Sequence, residues 1–243
     1  MNIFGKTDIG LKRVSNQDTY AFRALSEDVL WAVVCDGMGG ASGGNVASEI
    51  AAARIAEQMN SGVRAGMSEA SVTNLLRGAI ENANLAIYKK AQEDPELSGM
   101  GTTVVLALLL GQRAYVVHVG DSRAYLISKR ACSQITTDHS MVQLMVDMGK
   151  LTEDEAKSHP KKNVITRALG IEPNVDMDFK AYTHAEDEIL LLCSDGLTNF
   201  LEEEEITEIS LNNDLPRVPD LLVERANHHG GGDNITAVVM GRN

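Results

Sequence analysis

Three cysteines in 243 residues are too few and too scattered for a disulfide framework. Cys35, Cys132 and Cys193 form no CxxC pair, which also removes a thiolate zinc site. Cys35 and Cys193 each close an apolar run, the pattern of buried thiols in a reducing compartment. No arginine stands six residues after any cysteine; Ala41, Asp138 and Asn199 stand there, which excludes a cysteine-phosphatase mechanism. Long apolar runs are missing as well. The longest, Val104 to Leu110, is far too short to cross a bilayer. The N-terminal Met-Asn-Ile-Phe-Gly-Lys-Thr-Asp lacks the basic start and apolar stretch of a secretory leader. These absences predict a cytoplasmic protein with no membrane insertion. There is no dense Lys/Arg block, and the net charge is −12, so nucleic acid is not an expected partner. Gly5-Lys6-Thr7 has no upstream glycine at phosphate-loop spacing.

Linkers, repeats and composition breaks are absent too, so residues 1–243 read as one domain. Short apolar runs bounded by turn residues predict strands at Leu30–Cys35, Thr103–Leu110, Ala114–Val119, Ala124–Ile127, Glu188–Cys193 and Ile235–Met240. Two helices are predicted, over Asn45–Met59 and from the Ser68 cap to Gln92. A further helical stretch, Glu203–His228, precedes the last strand. Helices segregated from strands indicate an α+β layered fold, not alternating βαβ units. Residues 139–166 are polar, with short helices expected at Met141–Met148 and Thr152–Lys157. That stretch reads as a flap inserted over one end of the sheet.

Asp36, Asp121 and Asp195 each follow an apolar strand, and Asp233 lies between Gly230-Gly-Gly and the last strand. One Asp-Gly pair is ordinarily a turn. Several carboxylates meeting at one sheet edge would repel one another unless hard cations sat between them. Oxygen-only ligands suit Mg²⁺ or Mn²⁺, not zinc. Two such ions about 4 Å apart can activate a shared water for in-line attack on phosphorus.

The motifs Arg13-Val-Ser-Asn-Gln-Asp18, Asp36-Gly-Met-Gly-Gly40, Gly101-Thr-Thr103, Gly120-Asp-Ser-Arg123, Asp138-His-Ser140, Asn163-Val-Ile-Thr-Arg-Ala-Leu-Gly170, Ser194-Asp-Gly-Leu197 and Gly232-Asp-Asn-Ile-Thr236 run in order along the chain. As a set, the chain resembles the metal-dependent protein phosphatases of the 2C type, in their compact bacterial form. The resemblance implies a four-layer α/β/β/α sandwich: a central antiparallel β-sandwich flanked by helix pairs, with the 139–166 flap. It implies a serine/threonine phosphatase with two core Mn²⁺ or Mg²⁺ ions. Asp36 would bridge them, the Gly37 carbonyl would complete one, and Asp195 and Asp233 the other. Asp121 with Asp195 would hold a third, weaker ion. Arg13 would grip the substrate phosphate, and Asp18 would orient a water held by the ions. Asn234 is open to a similar role or to shaping its turn. The expected partners are phosphorylated proteins and an opposing Ser/Thr kinase, with the chain acting as a monomer.

The chain departs from the family pattern twice. Met38 and Ala41 stand where many relatives carry a histidine that protonates the leaving group, so no general acid is assigned, and an ion-bound water and His159 of the flap are both candidates. Asn199 stands where some relatives place a further carboxylate, which weakens the case for the third ion. Lys161 and Lys162 are candidates for reading acidic residues around a phosphosite, or a solvated basic turn. A non-catalytic binding module of the same fold is disfavoured, because it should have lost metal aspartates that are all present here.

Overall fold

The strand β3 shows how the sequence builds the layers. Along Val29–Met38, Leu30, Ala32 and Val34 point one way and Trp31, Val33 and Cys35 the other, and all are buried. Both faces are covered, so the strand reads as a continuous apolar run instead of alternating. The computed structural model describes residues 1–242 and all side chains but those of residues 40–42. The expectation about Ala41 thus falls outside the described residues.

In chain order the elements are β1 (Asn2–Asp8), β2 (Asp18–Ser26), β3 (Val29–Met38), α1 (Gly40–Gly62), α2 (Glu69–Glu93), β4 (Gly101–Thr102), β5 (Val104–Leu110), β6 (Arg113–Val119), β7 (Arg123–Ile127), β8 (Cys132–Gln134), α3 (Met141–Asp147), α4 (Glu153–Ser158), β9 (Asp178–Thr183), β10 (Ile189–Cys193), α5 (Asp195–Thr198), α6 (Glu203–Asn212), α7 (Val218–His228) and β11 (Ile235–Gly241). One sheet runs β1-β11-β10-β7-β8 and the other β2-β3-β5-β6-β9, with β4 added to β3. Every pairing is antiparallel.

The sheets pack face to face over Leu30, Val34, Val105, Val116, Leu190, Leu192 and Val238. Ile55 and Met59 of α1 and Leu76, Ile80 and Ile87 of α2 cover the outer face of the β3 sheet. Ile206 of α6 and Leu222 and Val223 of α7 cover the other sheet. Full burial of each such side chain contributes about 1.5–3 kcal/mol, so the layers order themselves. The four-layer α/β/β/α arrangement is as expected.

Several boundaries differ from the sequence reading. The first helix runs past Asn45–Met59 at both ends. The Glu203–His228 stretch is two helices, because Pro216 sits in a short 3-10 turn, Leu215–Arg217, between them. The strands β1, β2, β4, β8 and β9 have no counterpart among the six expected ones; β8 and β9 are half-exposed and carry weak periodicity.

The 139–166 segment leaves and rejoins the sheet at one point. Thr166 N–H donates to the His139 carbonyl at 2.7 Å, and Met141 N–H to the Val164 carbonyl at 2.8 Å. Its helices carry their own caps: Ser140 accepts from Gln143 N–H, and Thr152 forms a capping box with Glu155. Beyond it, buried Asn84 of α2 accepts from Gly170 N–H at 2.8 Å and donates to the Glu172 and Pro173 carbonyls. That amide fastens the exit of the segment to the helical layer.

Candidate metal centre

Five carboxylates, each from a different strand, helix or strand end, meet at one end of the sandwich. Asp18 of β2 lies directly opposite Asp36 of β3 in the ladder. Asp195 opens α5 immediately after β10, and Asp233 precedes β11. Asp121 follows β6 and is nearly buried. The backbone around them is tightly fitted. A Cβ on Gly37 would strike the Gly44 carbonyl oxygen, and one on Gly196 would strike that of Asn234. Only glycine lets these turns approach so closely.

Burial raises the pKa of Asp36 well above the usual carboxylate range, and the charges of Asp18, Asp195, Asp121 and Asp233 push it further. Asp18, Asp121 and Asp195 are likewise raised, first by burial. For Asp18 two hydroxyls work the other way, since Ser194 and Thr236 each donate to Oδ2 at 2.7 Å. Its Oδ1 is buried and has no hydrogen-bond partner. Asp195 lies within hydrogen-bonding reach of Asp36 and takes an amide hydrogen from Asn199 at 3.0 Å. Crowded carboxylates without matching cations are costly. An orphaned buried oxygen and an oxygen-only donor set fit hard divalent ions such as Mg²⁺ or Mn²⁺.

The protein phosphatase 2C signature matches residues 12–228. The chain is 35% identical over 239 residues to the serine/threonine phosphatase stp of Listeria welshimeri, covering 98% of this chain and 94% of that protein. It superposes on serine/threonine phosphatase Stp1 from Staphylococcus aureus with a TM-score of 0.92 at 33% identity, covering 99% of this chain and 94% of that one. The chain belongs to the protein phosphatase 2C family. A further 2C-type neighbour is the catalytic domain of the serine/threonine protein phosphatase PstP, solved with 2 manganese ions. Its TM-score is 0.84 at 33% identity, with 98% and 96% of the two chains covered.

In this 2C phosphatase, residues 9–17 form a loop that Asn234 holds. Its side chain accepts from Gln17 N–H at 2.8 Å and donates to the Ile9 and Ser15 carbonyls. Of the two roles the sequence left open for Asn234, these contacts are those of loop shaping. The loop presents Arg13, whose Nη2 lies 2.7 Å from Asp233 Oδ2. A relay of hydroxyls supports Asp18 from behind: Asn16 donates to Thr7 Oγ1, Thr7 and Thr236 hydroxyls meet at 2.7 Å, and Thr236 donates to Asp18. Thr7 escaped the sequence reading, and Thr236 entered it only as the end of the Gly232–Thr236 motif, with no role. Their pairing between β1 and β11 is not revealed by single-sequence patterning.

A cleft of about 620 Å³ opens beside the carboxylates, between the 139–166 segment and the start of α6. Asp121 and Asp195 line it, together with Lys157, Lys162, Asn199 and Glu202. Arg123 is held on its wall by a bidentate pair with Asp138, at 2.7 Å and 2.9 Å. His159 does not line this cleft. Its Nδ1 accepts from Lys161 N–H at 3.1 Å, so the ring is turned onto its own loop and is not brought to the aspartates. Lys162 is not simply solvated: it donates to Asn199 at 3.1 Å.

A second polar cluster adjoins the first. His118 of β6 stacks on His139 with ring centroids 4.6 Å apart, and Asp178 lies within reach of both. Three such ligand atoms could in principle hold an ion. Here Arg167 Nη1 lies 3.1 Å from His139 Nε2 and 2.9 Å from Asp178. A guanidinium already supplies the positive charge. Gly120 N–H donates to His139 Nδ1 at 3.1 Å, and Nε2 lies 3.5 Å from Asp178 Oδ1. The sequence reading treated His118 as packed, which it is, but did not foresee its partner His139.

Proposed function

We infer that this chain is a metal-dependent protein serine/threonine phosphatase. It would hydrolyse phosphoserine and phosphothreonine monoesters. The observation that carries this reading is the convergence of Asp18, Asp36, Asp121, Asp195 and Asp233 at one end of the sandwich, where Asp121 and Asp195 line the cleft and burial raises the pKa of Asp18, Asp36, Asp121 and Asp195.

Asp36, the Gly37 carbonyl, Asp195 and Asp233 would hold a pair of Mn²⁺ or Mg²⁺ ions, with Asp36 shared between them. Asp121 and Asp195 would take a third, weaker one. When bound, such ions neutralise the cluster, polarise the phosphoryl group and make a water acidic enough to attack it. Asp18, fixed through Oδ2 by Ser194 and Thr236, has an unpartnered Oδ1 that would accept a hydrogen bond from water. Arg13 would bind the phosphate. Its pair with Asp233 is half exposed on the arginine side and worth under about 1 kcal/mol, so the guanidinium is free to exchange one anion for another. Its planar fork matches two phosphate oxygens.

We take residues 139–166 as a flap within a single catalytic domain spanning 1–243. The partners in this reading are phosphorylated proteins, including targets of a bacterial Ser/Thr kinase, met by a monomer in the cytoplasm. Supporting it, no helix among the described residues is long and apolar enough to cross a membrane. The direct test is turnover of a phosphothreonine peptide with Mn²⁺, with a chelator, and in Asp36→Asn. Full activity in either of the last two conditions would falsify the mechanism.

A further inference from the structure

The cleft brings one flap residue into line with a carboxylate of the metal centre. Lys162 Nζ donates to Asn199 Oδ1 at 3.1 Å. The same amide donates through Nδ2 to Asp195 Oδ2 at 3.0 Å, and Asn199 N–H reaches the Asp195 carbonyl at 2.8 Å. Asn199 is therefore fixed at its backbone on the turn that carries Asp195, while its side chain has one end on the flap and one on the carboxylate. A lysine charge on the carbonyl end polarises the amide and strengthens its N–H donor. With Oδ2 held this way, Asp195 faces Asp36. A second flap lysine, Lys157, reaches Glu202 on the same loop at 3.2 Å. It makes no contact with Asn199, so the line to Asp195 runs through Lys162 alone.

We propose that Lys162 and Asn199 are positioning residues that couple closure of the flap to the orientation of the Asp195 carboxylate. This rests on reading the centre as a phosphatase metal site. Flap closure through Lys162 favours the rotamer in which Asp195 faces the other aspartates. Cation binding, which selects that rotamer, favours the closed flap. The two effects are reciprocal by linkage and equal in size. Neither residue touches the phosphate; Asn199 acts through Asp195, and Lys162 through Asn199.

The test compares amide hydrogen exchange over residues 150–166 in chelator and in saturating Mn²⁺, for the full chain and for Lys162→Met, Lys162→Arg and Asn199→Ala. Isothermal titration of Mn²⁺ into each metal-free protein gives the affinities. In the unmodified chain Mn²⁺ should slow flap exchange about 5-fold or more, the low end of couplings between sites. Lys162→Arg should keep most of that ratio. Lys162→Met and Asn199→Ala should lose it, and their Mn²⁺ affinity should fall by the same factor. A purely structural lysine would change exchange equally with and without Mn²⁺, leaving the ratio intact. That result overturns the proposal. So does an unmodified chain that binds Mn²⁺ with no gain in flap protection, an outcome that leaves the phosphatase reading standing. Failure of the unmodified chain to bind Mn²⁺ at all would overturn both.

Discussion

Around Asp36, four other carboxylates face one another with one half-exposed guanidinium, Arg13, at the edge. Around His139, a few residues away through Gly120, the charges are matched: Arg167 sits between the two histidines' acid partner and the ring, and the backbone takes up the other ring nitrogen. Both clusters lie among buried residues at one end of the same sandwich. Their difference separates a site from a strut. The carboxylates are stacked against their own electrostatics, which a fold tolerates where a ligand is to supply the missing charge. The histidine cluster is balanced without one, and holds the start of the 139–166 segment to the turn that carries Asp121.

The sharpest way to break that comparison is Asp36→Asn. Loss of the carboxylate central to the cluster should lower kcat/KM on a phosphothreonine peptide by at least about a hundredfold, since even groups that merely orient ligands cost 10- to 100-fold. Stability should move the other way. In chelator, removing one of several repelling charges should raise Tm, by about 2–4 °C for each kcal/mol relieved in a chain of this size. A lower Tm in chelator would mean that Asp36 is a structural acid, and the contrast with His139 would collapse.

Next in size is Arg13→Ala, expected to reduce kcat/KM about 10- to 100-fold, the range for one charged hydrogen-bonding partner. Most of the loss should appear in KM. Arg13→Lys should recover part of it, because an ammonium keeps the charge but not the fork. Equal activity in all three proteins would leave Arg13 as no more than the partner of Asp233.

The histidine cluster makes the opposite prediction about acid. Burial, the stacked His118 and Arg167 lower the His139 pKa to about 4, and burial lowers that of His118 as well. The unfolded chain therefore binds these protons first. Their contribution to stability is complete above the unfolded value of about 6.5 and is lost as the pH falls toward 4. Urea midpoints should drop over that window by an amount on the order of 2 kcal/mol. A His118→Asn, His139→Asn double variant should show a flatter profile, although it starts less stable. The raised carboxylates slope the other way, gaining relative stability in acid, so the difference between the two proteins isolates the histidines. Parallel profiles would show that the pair is not buried neutral.

How much of this was legible in the sequence follows the same division. Asp36, Asp195 and Asp121 stood out because each follows an apolar run, and Asp233 because it precedes one; the covering of both sheet faces is what made those runs continuous. The layers could be read for that reason. What stayed hidden was made by contacts between distant segments. Thr236 meets Asp18 across 218 positions of chain, and Asn84 meets Gly170 across 86. Nothing local marks a threonine inside a strand as a hydroxyl donor to a buried acid, nor an asparagine inside a helix as a clamp. The helix break near Pro216 was visible in principle and was overlooked because the apolar spacing on either side is helical. The turn of His159 away from the aspartates depended on the path of the flap loop, which local residue types do not determine.

Asp178→Asn is the mildest perturbation and the most exacting check on the balanced cluster. Asp178 and Arg167 are both more than two-fifths exposed at the side chain, so their pair at 2.9 Å should contribute about 0.5 kcal/mol, a shift of about 1–2 °C in Tm. Mn²⁺ affinity and peptide turnover should be unchanged, because Asp178 does not line the cleft that Asp121 and Asp195 line. The unmodified chain should also gain no stability from Zn²⁺ that Asp178→Asn loses, since Arg167 occupies the approach to the three ligand atoms. A Zn²⁺-dependent rise in Tm abolished by this single change would make the histidine cluster a second metal site. A clear rise in Tm without metal would show that Asp178 is repelled there, as the carboxylates around Asp36 are. Either result would erase the distinction between an end of the sheet that awaits positive charge and one that already has it.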